Sequence, residues 1–338
     1  MDIDSNNRIA ITGTTESSDF PLLNSNQSTN AGSLDVFLSF FEADAQSILF
    51  STYLGTTGID HGRAIDFDSQ GDILLAGMIA NGDLATDGAY QEEYGGGTSD
   101  AFLAKYQTNG TLEYITFLGG TSSDTANDMA VDSNDNVILT GYTMSDDFPI
   151  LNAIQEERVE RSEMFITKFT PNSQSVSFSS YMGGSSADYG NAVKADSQNR
   201  IIVTGQTSSN DFPTTYTLNS TESRYDNVLL VVLNQDGTLL FSTLFGGTYD
   251  YVGIGVAWYS NDSYIVVGYT ESTDFPIYQA YQGTHSGSND MFIMKINLEG
   301  LIDPRQVEFT FGIIEGSIVI GTIVVVILLV LFVRRRAG

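Results

Sequence analysis

The chain repeats itself with a period of 64 residues, and that period limits what it can fold into. A glycine inside an apolar run falls at Gly13, Gly77, Gly141, Gly205 and Gly268. A glycine pair keeps the same step at Gly119-Gly120, Gly183-Gly184 and Gly246-Gly247, with Gly55-Thr56 as its first, altered copy. The triplet Asp-Phe-Pro recurs at Asp19-Phe20-Pro21, Asp147-Phe148-Pro149, Asp211-Phe212-Pro213 and Asp274-Phe275-Pro276, and the second copy reads Asp83-Leu84-Ala85. Two markers in step over five copies, and a third over four of them, define a repeat array. A short unit of this kind buries its apolar face only against its neighbours.

Each unit holds four short strand candidates and no helical periodicity. In the third copy "VILTGYT" is followed by a long loop with the triplet, then "MFITKF", then "VSFSSYM" running into Gly183-Gly184. Turns rich in Asp, Ser and Asn precede the second strand of a unit, as in "DSNDN" and "DSQNR". The last strand alternates with period two: Ile48, Phe50, Thr52, Leu54; Leu112, Tyr114, Thr116, Leu118; Val176, Phe178, Ser180, Met182; Leu239, Phe241, Thr243, Phe245. An aromatic always stands second, as a strand packing on a neighbouring sheet requires. The expected fold is all-β: a β-propeller of four-stranded blades, about five of them at residues 1–64, 65–128, 129–192, 193–255 and 256–311. In the fifth copy "VEFTF", Val307 to Phe311, is the candidate fourth strand, although it arrives late in the phase.

The stretch "GGSSADYGNAVKADSQNRIIVTGQTSSNDFPTT", Gly183 to Thr215, resembles the SBBP family of β-propeller repeats. "GAYQEEYGGGTSDAFLAKYQTNGTLEYITFLGG", Gly88 to Gly120, continues the same pattern, and the resemblance spans Asp2 to about Leu298. It implies a propeller, commonly carried by exported or surface proteins, and it implies no single activity.

The tail is of another kind. Gly316 to Val333, "GSIVIGTIVVVILLVLFV", carries no charge, and Arg334, Arg335 and Arg336 follow it. At ~1.5 Å per residue, a helix over 312–333 crosses a ~30 Å hydrocarbon core. The arginines then act as a stop-transfer cluster in a short basic tail, 334–338, on the cytoplasmic side, which puts the propeller outside as a single-pass membrane protein. Gly312 with Gly316 and Ser317 with Gly321 form small-xxx-small pairs suited to a helix-mediated homodimer. Met1 to Gly13 shows no leader of charged and then apolar residues, and a repeat strand opens the chain. Five blades can close into a ring, and the sequence can equally start part-way through a longer product with a signal peptide and further blades; the longer product is the preferred expectation.

The formal charge is −28. Setting aside the residues after Thr310 leaves 14 − 3 = 11 basic and 42 − 1 = 41 acidic residues, a body near −30. Such a field repels nucleic acid and favours cations or basic partners. With no cysteine, a disulfide framework, a thiol nucleophile and a thiolate metal site are all excluded.

Repeated acids are the candidates for chemistry. The loop from the second to the third strand and the loop to the next unit emerge at the same edge, so the triplet aspartates gather there with Asp60, Asp124, Asp188 and Asp250. Stacked carboxylates suit calcium, and acceptance of backbone N–H groups within each turn suits them equally. Asp132-x-Asn134-x-Asn136 has the opening of a calcium loop without its glycine and distal glutamate, and reads as a hairpin turn. The histidines, His61 and His285, lie far apart in the repeat phase, and nothing breaks the pattern as a grafted catalytic pair would. Gly95-Gly96-Gly97 has no phosphate-loop lysine. Asn26, Asn109, Asn219 and Asn261 are candidate glycosylation sites. The composite expectation is a membrane-anchored, cell-surface binding or adhesion module, without catalysis or cofactor, that meets membrane lipid through its helix and an extracellular protein or glycan through its loops. A passive envelope component and a surface hydrolase using loop carboxylates are the alternatives.

Overall fold

The computed structural model describes residues 1–159, 161–216, 225–260, 262–275, 284, 288–298 and the strand Glu308–Ile314. The chain forms two compact units, Met1–Met182 and Gly183–Gly338.

The first unit contains three antiparallel four-stranded sheets. They are β1 (Asp2–Ile3), β2 (Ile9–Thr15), β3 (Asp35–Phe41) and β4 (Ile48–Leu54); β5 (His61–Phe67), β6 (Ile73–Ile79), β7 (Asp100–Tyr106) and β8 (Leu112–Leu118); and β9 (Asp124–Val131), β10 (Val137–Thr143), β11 (Glu163–Phe169) and β12 (Val176–Met182). The second unit contains two more: β13 (Asp188–Ala195), β14 (Ile201–Thr207), β15 (Asn227–Leu233) and β16 (Leu239–Phe245); and β17 (Tyr251–Ser260), β18 (Ser263–Thr270), β19 (Asp290–Asn297) and β20 (Glu308–Ile314). Every sheet is a simple meander in chain order, the topology of a propeller blade.

The third strands β7, β11 and β15 are buried along their whole length. "NVLLVVL" accordingly reads as a continuous apolar run and not as an alternation. In the first unit one cluster joins Leu38, Phe40 and Phe50 to Leu75, Phe102 and Ile115, and another joins Leu74 and Leu103 to Leu139, Phe165 and Tyr181. In the second unit Leu230 and Phe241 pack with Val256, Phe292 and Met294. Burying each such side chain contributes roughly 1.5–3 kcal/mol. The alternating aromatics of the fourth strands, Phe50, Phe178 and Phe241, are core residues, and half-buried Tyr114 contacts the Ser173 hydroxyl at 2.7 Å.

The repeated glycine has a steric cause. The first strand of four sheets carries a bulge, with Arg63, Asn127, Asn191 and Ile254 as the extra residues. The bulge pushes a carbonyl against the second strand. A Cβ at Gly77, Gly141 or Gly205 would lie 1.9 Å from the oxygen of His61, Thr125 or Tyr189, and one at Gly268 would lie 2.0 Å from that of Val252.

A second rule concerns the turn between the first and second strands. Its aspartate is buried and paired with a cation, but from two different places. In the first and fourth sheets the cation is four residues on: Arg8 to Asp4 at 2.7 Å and Arg200 to Asp196 at 2.6 Å. In the second and third it comes from the third strand: Lys105 to Asp68 at 2.9 Å and Lys168 to Asp132 at 2.8 Å. Where the turn supplies arginine, the third-strand position holds Phe40 or Val232. In the fifth sheet Tyr259 replaces the aspartate, and Lys295 sits 4.3 Å over its ring.

At the C-terminal end the structure corrects the sequence reading. Gly312, Ile313 and Ile314 were expected to open a membrane helix, yet they belong to β20 and pair with Ile293, Phe292 and Met291. The candidate strand "VEFTF" thus continues to Ile314, because β19 is eight residues long and pairs over all but its first residue. Among the described residues no helix is long and apolar enough to cross a membrane. Residues 315–338, including Arg334, Arg335 and Arg336, lie outside the described residues, as does Pro276.

Candidate functional site

The repeated acids meet at the edge where the fourth strand of one sheet hands over to the first strand of the next. Asp60, Asp124 and Asp188 are fully buried there and fold back on the turn that precedes them. Oδ2 of each accepts a backbone N–H, from Thr56 at 2.5 Å, Gly120 at 2.8 Å and Gly184 at 2.9 Å. Ala80 N–H adds a bond of 2.7 Å to Asp60, the Ser145 hydroxyl one of 2.8 Å to Asp124 and the Ser209 hydroxyl one of 3.0 Å to Asp188. Thr207 donates to the other oxygen of Asp188.

A second set of buried acids escaped the sequence reading. Each opens a third strand: Asp35, Asp100, Glu163 and Asp290, with Asn227 at that place in the fourth sheet. Asp35 accepts Ala31 N–H at 2.9 Å and Asp100 accepts Gly95 N–H at 2.6 Å. A repeated glutamine connects this acid to the turn. The side-chain amide of Gln27 donates to Asp35 at 2.8 Å while its oxygen accepts Gly55 N–H at 2.9 Å. Gln91 does the same with Asp100 at 3.5 Å and Gly119 N–H at 3.1 Å, and Gln155 donates to Glu163. The two acids converge on the glycine between them. A Cβ at Gly119 would lie 2.6 Å from Asp100 Oδ1 and 2.8 Å from Asp124 Oδ2, and Gly55 is pinched in the same way by Asp35 and Asp60.

Burial dominates the electrostatics of Asp60, Asp100, Asp124 and Asp188. It pushes the Asp100 carboxyl up to about 7 against the opposing bond from Gly95, and the charge of Asp124 pushes the same way. Burial likewise raises Asp124 and Asp188 to about 6 against their hydroxyl and backbone donors. Asp60 is raised for the same reason. Carboxyls buried this deeply and surrounded by N–H and O–H donors hold turns together. Among the described residues no three acidic or imidazole groups converge as a metal ion would require.

Asp250 does not join this set. The register pairs Asp188 with Thr207 and Tyr251 with Thr270, so Tyr251 occupies the buried aspartate's place in the fifth sheet. Its hydroxyl reaches Asp274 Oδ1 at 3.2 Å, while Asp250 stands one residue earlier, half-buried, and accepts Asp226 N–H at 3.1 Å.

The triplet aspartates reach the same edge from the other loop. Asp147 accepts the N–H of Thr121 at 2.8 Å, Asp211 that of Ser185 at 2.8 Å and Asp274 that of Thr248 at 3.2 Å. Each thus caps the turn after the preceding glycine pair and not its own. The Thr121 and Ser185 backbone bonds hold Asp147 and Asp211 below the usual carboxylate range. Asp19 accepts from Ser17 at 3.2 Å. The phenylalanines pack on their own sheet: Phe20 on Phe37 and Tyr53, Phe148 on Phe165 and Tyr181, Phe275 on Phe292 and Tyr251. Phe212 is buried too. Pro21, Pro149 and Pro213 follow as the chain leaves toward the outer strand, where Pro149 O accepts from Ser179 at 2.6 Å and the Pro213 oxygen from Ser242 at 2.5 Å.

The remaining candidates are dispersed. Asp132 is bound by Lys168, Asn136 and the turn backbone in a hairpin. His61 Nδ1 contacts the Thr14 hydroxyl at 2.9 Å, and burial lowers its basicity. Of the candidate glycosylation residues, Asn26 lies in the β2–β3 loop and Asn109 in the exposed β7–β8 turn; Asn219 and Asn261, like His285, fall outside the described residues.

Above this fixed frame the loop side chains vary. In the first unit Ile150, Leu151, Ile154 and Val159 are exposed on one loop, tied to β12 by backbone bridges from Leu151 to Ser179 and from Gln155 to Tyr181. In the second unit Tyr225, Tyr249 and Tyr269 are exposed.

Meander sheets, a glycine fixed by a bulge and recurrent turn clasps define an all-β repeat protein whose sheets have the topology of propeller blades. Residues 113–149 match the family described as beta-propeller repeat, SBBP. An uncharacterized WD repeat-containing protein of Acanthamoeba polyphaga mimivirus is 24% identical over 282 residues, covering 71% of this chain. The chain spans 20% of that protein's length.

Proposed function

We propose that the chain is a non-catalytic protein-interaction module of propeller blades, presented at a cell surface and held there by the apolar segment 315–333. The observation that carries this reading is the contrast at one edge of the sheets of the first unit. Buried acid, glutamine and glycine fix each turn, and on this rigid support the loop of the third sheet exposes Ile150, Leu151 and Ile154 to solvent. Rigid turns with variable apolar loop residues suit recognition, because little ordering entropy opposes binding. Catalysis has no comparable support, since the acids at this edge are engaged as acceptors.

Cross-linking in cells tests it. A photoreactive residue at Ile154 should give a discrete adduct with a protein partner, and one at Ala43 in the β3–β4 turn should not. If both positions give the same adducts, or none, the interaction reading fails. The anchor is tested separately by adding protease to intact cells: the propeller should be digested, and a resistant body would overturn the surface placement.

A further inference from the structure

Successive sheets of a unit meet by unlike faces. The face of the first sheet that carries Val36, Leu38 and Phe40 packs on the face of the second that carries Ile73, Leu75 and Phe102. In the same sense Leu74, Ala101 and Leu103 of the second sheet pack on Leu139, Phe165 and Phe169 of the third. Leu230 and Val232 of the fourth pack likewise on Phe292 and Ile296 of the fifth. Side chains alternate along each third strand, so every sheet has a forward face, that of Val36 in the first sheet, and a rear face, that of Phe37.

The rear of the first sheet departs from this rule. Register places Ile9, Ile11, Phe37 and Phe41 together on it, and all four are only half-buried. Their counterparts are fully buried in every other sheet: Ile73, Leu75, Phe102 and Tyr106 in the second, Tyr264, Val266, Phe292 and Ile296 in the fifth, and the corresponding four of the third and fourth. Phe20 leans on Phe37 with ring centroids 4.8 Å apart and is half-buried too, whereas Phe148, Phe212 and Phe275 at the same step are buried. The forward face of the fifth sheet departs in the same way. Ile265, Met291 and Ile293 are half-buried there, whereas Ile138, Met164 and Ile166 of the third sheet and Ile202, Val228 and Leu230 of the fourth are fully buried.

We infer that the rear of the first sheet is a docking surface for a second copy of this chain, whose fifth sheet seats its forward face there as one sheet of a unit seats on the next. The contact continues an interface already built inside the chain: the aliphatic forward face of Ile265, Met291 and Ile293 meets the aromatic and branched rear face of Ile9, Ile11, Phe37 and Phe41. Apolar side chains gathered on one face, and not scattered singly, mark a contact surface. The contact is heterologous, so each copy offers one face to one neighbour and the other face to the next. It is separate from the exposed loop of Ile154.

Sedimentation of the full chain in mild detergent, from about 1 to 100 μM, tests it and should show association that grows with concentration. Phe37→Lys spoils the rear face and Ile293→Lys the forward face, and each alone should weaken association about tenfold or more. Both positions are half-buried, so the fold is retained, which circular dichroism checks; Phe41→Lys and Met291→Lys repeat the experiment at a second pair of positions. An equimolar mixture of the two variants should form a heterodimer, because the intact forward face of one meets the intact rear face of the other. Three results would each overturn the inference: a parent chain that stays monomeric, as closure within one chain would leave it; association that survives both substitutions, as contact through segment 315–333 would; and a mixture that fails to associate. Cross-linking at Ile154 probes a loop of the third sheet, so its outcome stands or falls independently of this one.

Discussion

Replacing Asp100 by asparagine should stabilise the protein at neutral pH and do so in a pH-dependent way. Asn227 shows that the amide is accepted at this place in another sheet. The Asp100 carboxyl is pushed from 3.8 to about 7 in the folded protein, first by burial. The folded state therefore binds the proton more tightly than the unfolded state. Stability contributed by this group is fully present below about pH 4, declines as pH rises toward 7, and levels off above that. At ~1.4 kcal/mol per unit, a shift of about three units sets a ceiling of ~4 kcal/mol on the loss. Solvent screening and relaxation of the neighbouring acid reduce it, so the expected gain for Asp100→Asn at about pH 8 is ~2 kcal/mol. Asparagine keeps one acceptor for Gly95 N–H, now 2.6 Å from the carboxylate. Urea unfolding followed by circular dichroism at a series of pH values reads the difference. The two proteins should be nearly equal at about pH 4 and diverge up to about pH 7. A difference that stays constant with pH, or a variant less stable than the parent at about pH 8, would refute the account of this edge as a set of buried, proton-holding acids.

Two further changes probe the frame. Gly119→Ala drives a methyl group to within 2.8 Å of both Asp100 and Asp124 and should cost about 3 kcal/mol, read as a lower urea midpoint. Lys168→Met leaves Asp132 charged, unexposed and without its cation, for about 3 kcal/mol; the pair Asn136→Arg and Lys168→Val reproduces the fourth sheet's arrangement and should recover part of the loss in melting temperature.

The sheets were legible in the sequence because their markers answer to local demands. A carbonyl at 1.9 Å from a would-be Cβ admits only glycine, so Gly77, Gly141 and Gly205 recur at a fixed step. Alternation in the fourth strands is equally local. The site was read less completely. Asp250 was grouped with Asp188 by residue type, whereas strand register puts Tyr251 there. Asp35, Asp100 and Glu163 were missed because the loop before them changes length, so the position leaves the 64-residue step: 100 − 35 = 65 and 163 − 100 = 63. Gln27, Gln91 and Gln155 keep the 64-residue step and were the available signal. The aspartate–lysine pairs stayed hidden because the aspartate lies in the first turn of a sheet and the lysine in its third strand.

The alternation of cations under the turn aspartate sets a rule for recombining these repeats. A copy of the Arg8 type and one of the Lys105 type each bring their own cation to the turn aspartate, so whole sheets are exchangeable units. A crossover between the second and third strands is not. Joining the front of the second sheet to the back of the first would set Asp68 and Asp72 against Phe40 with no cation. The reciprocal splice would set Arg8 and Lys105 together against Asp4 and Glu113. Duplication that respects the sheet boundary keeps each turn aspartate with its cation, and exchange within a sheet separates them.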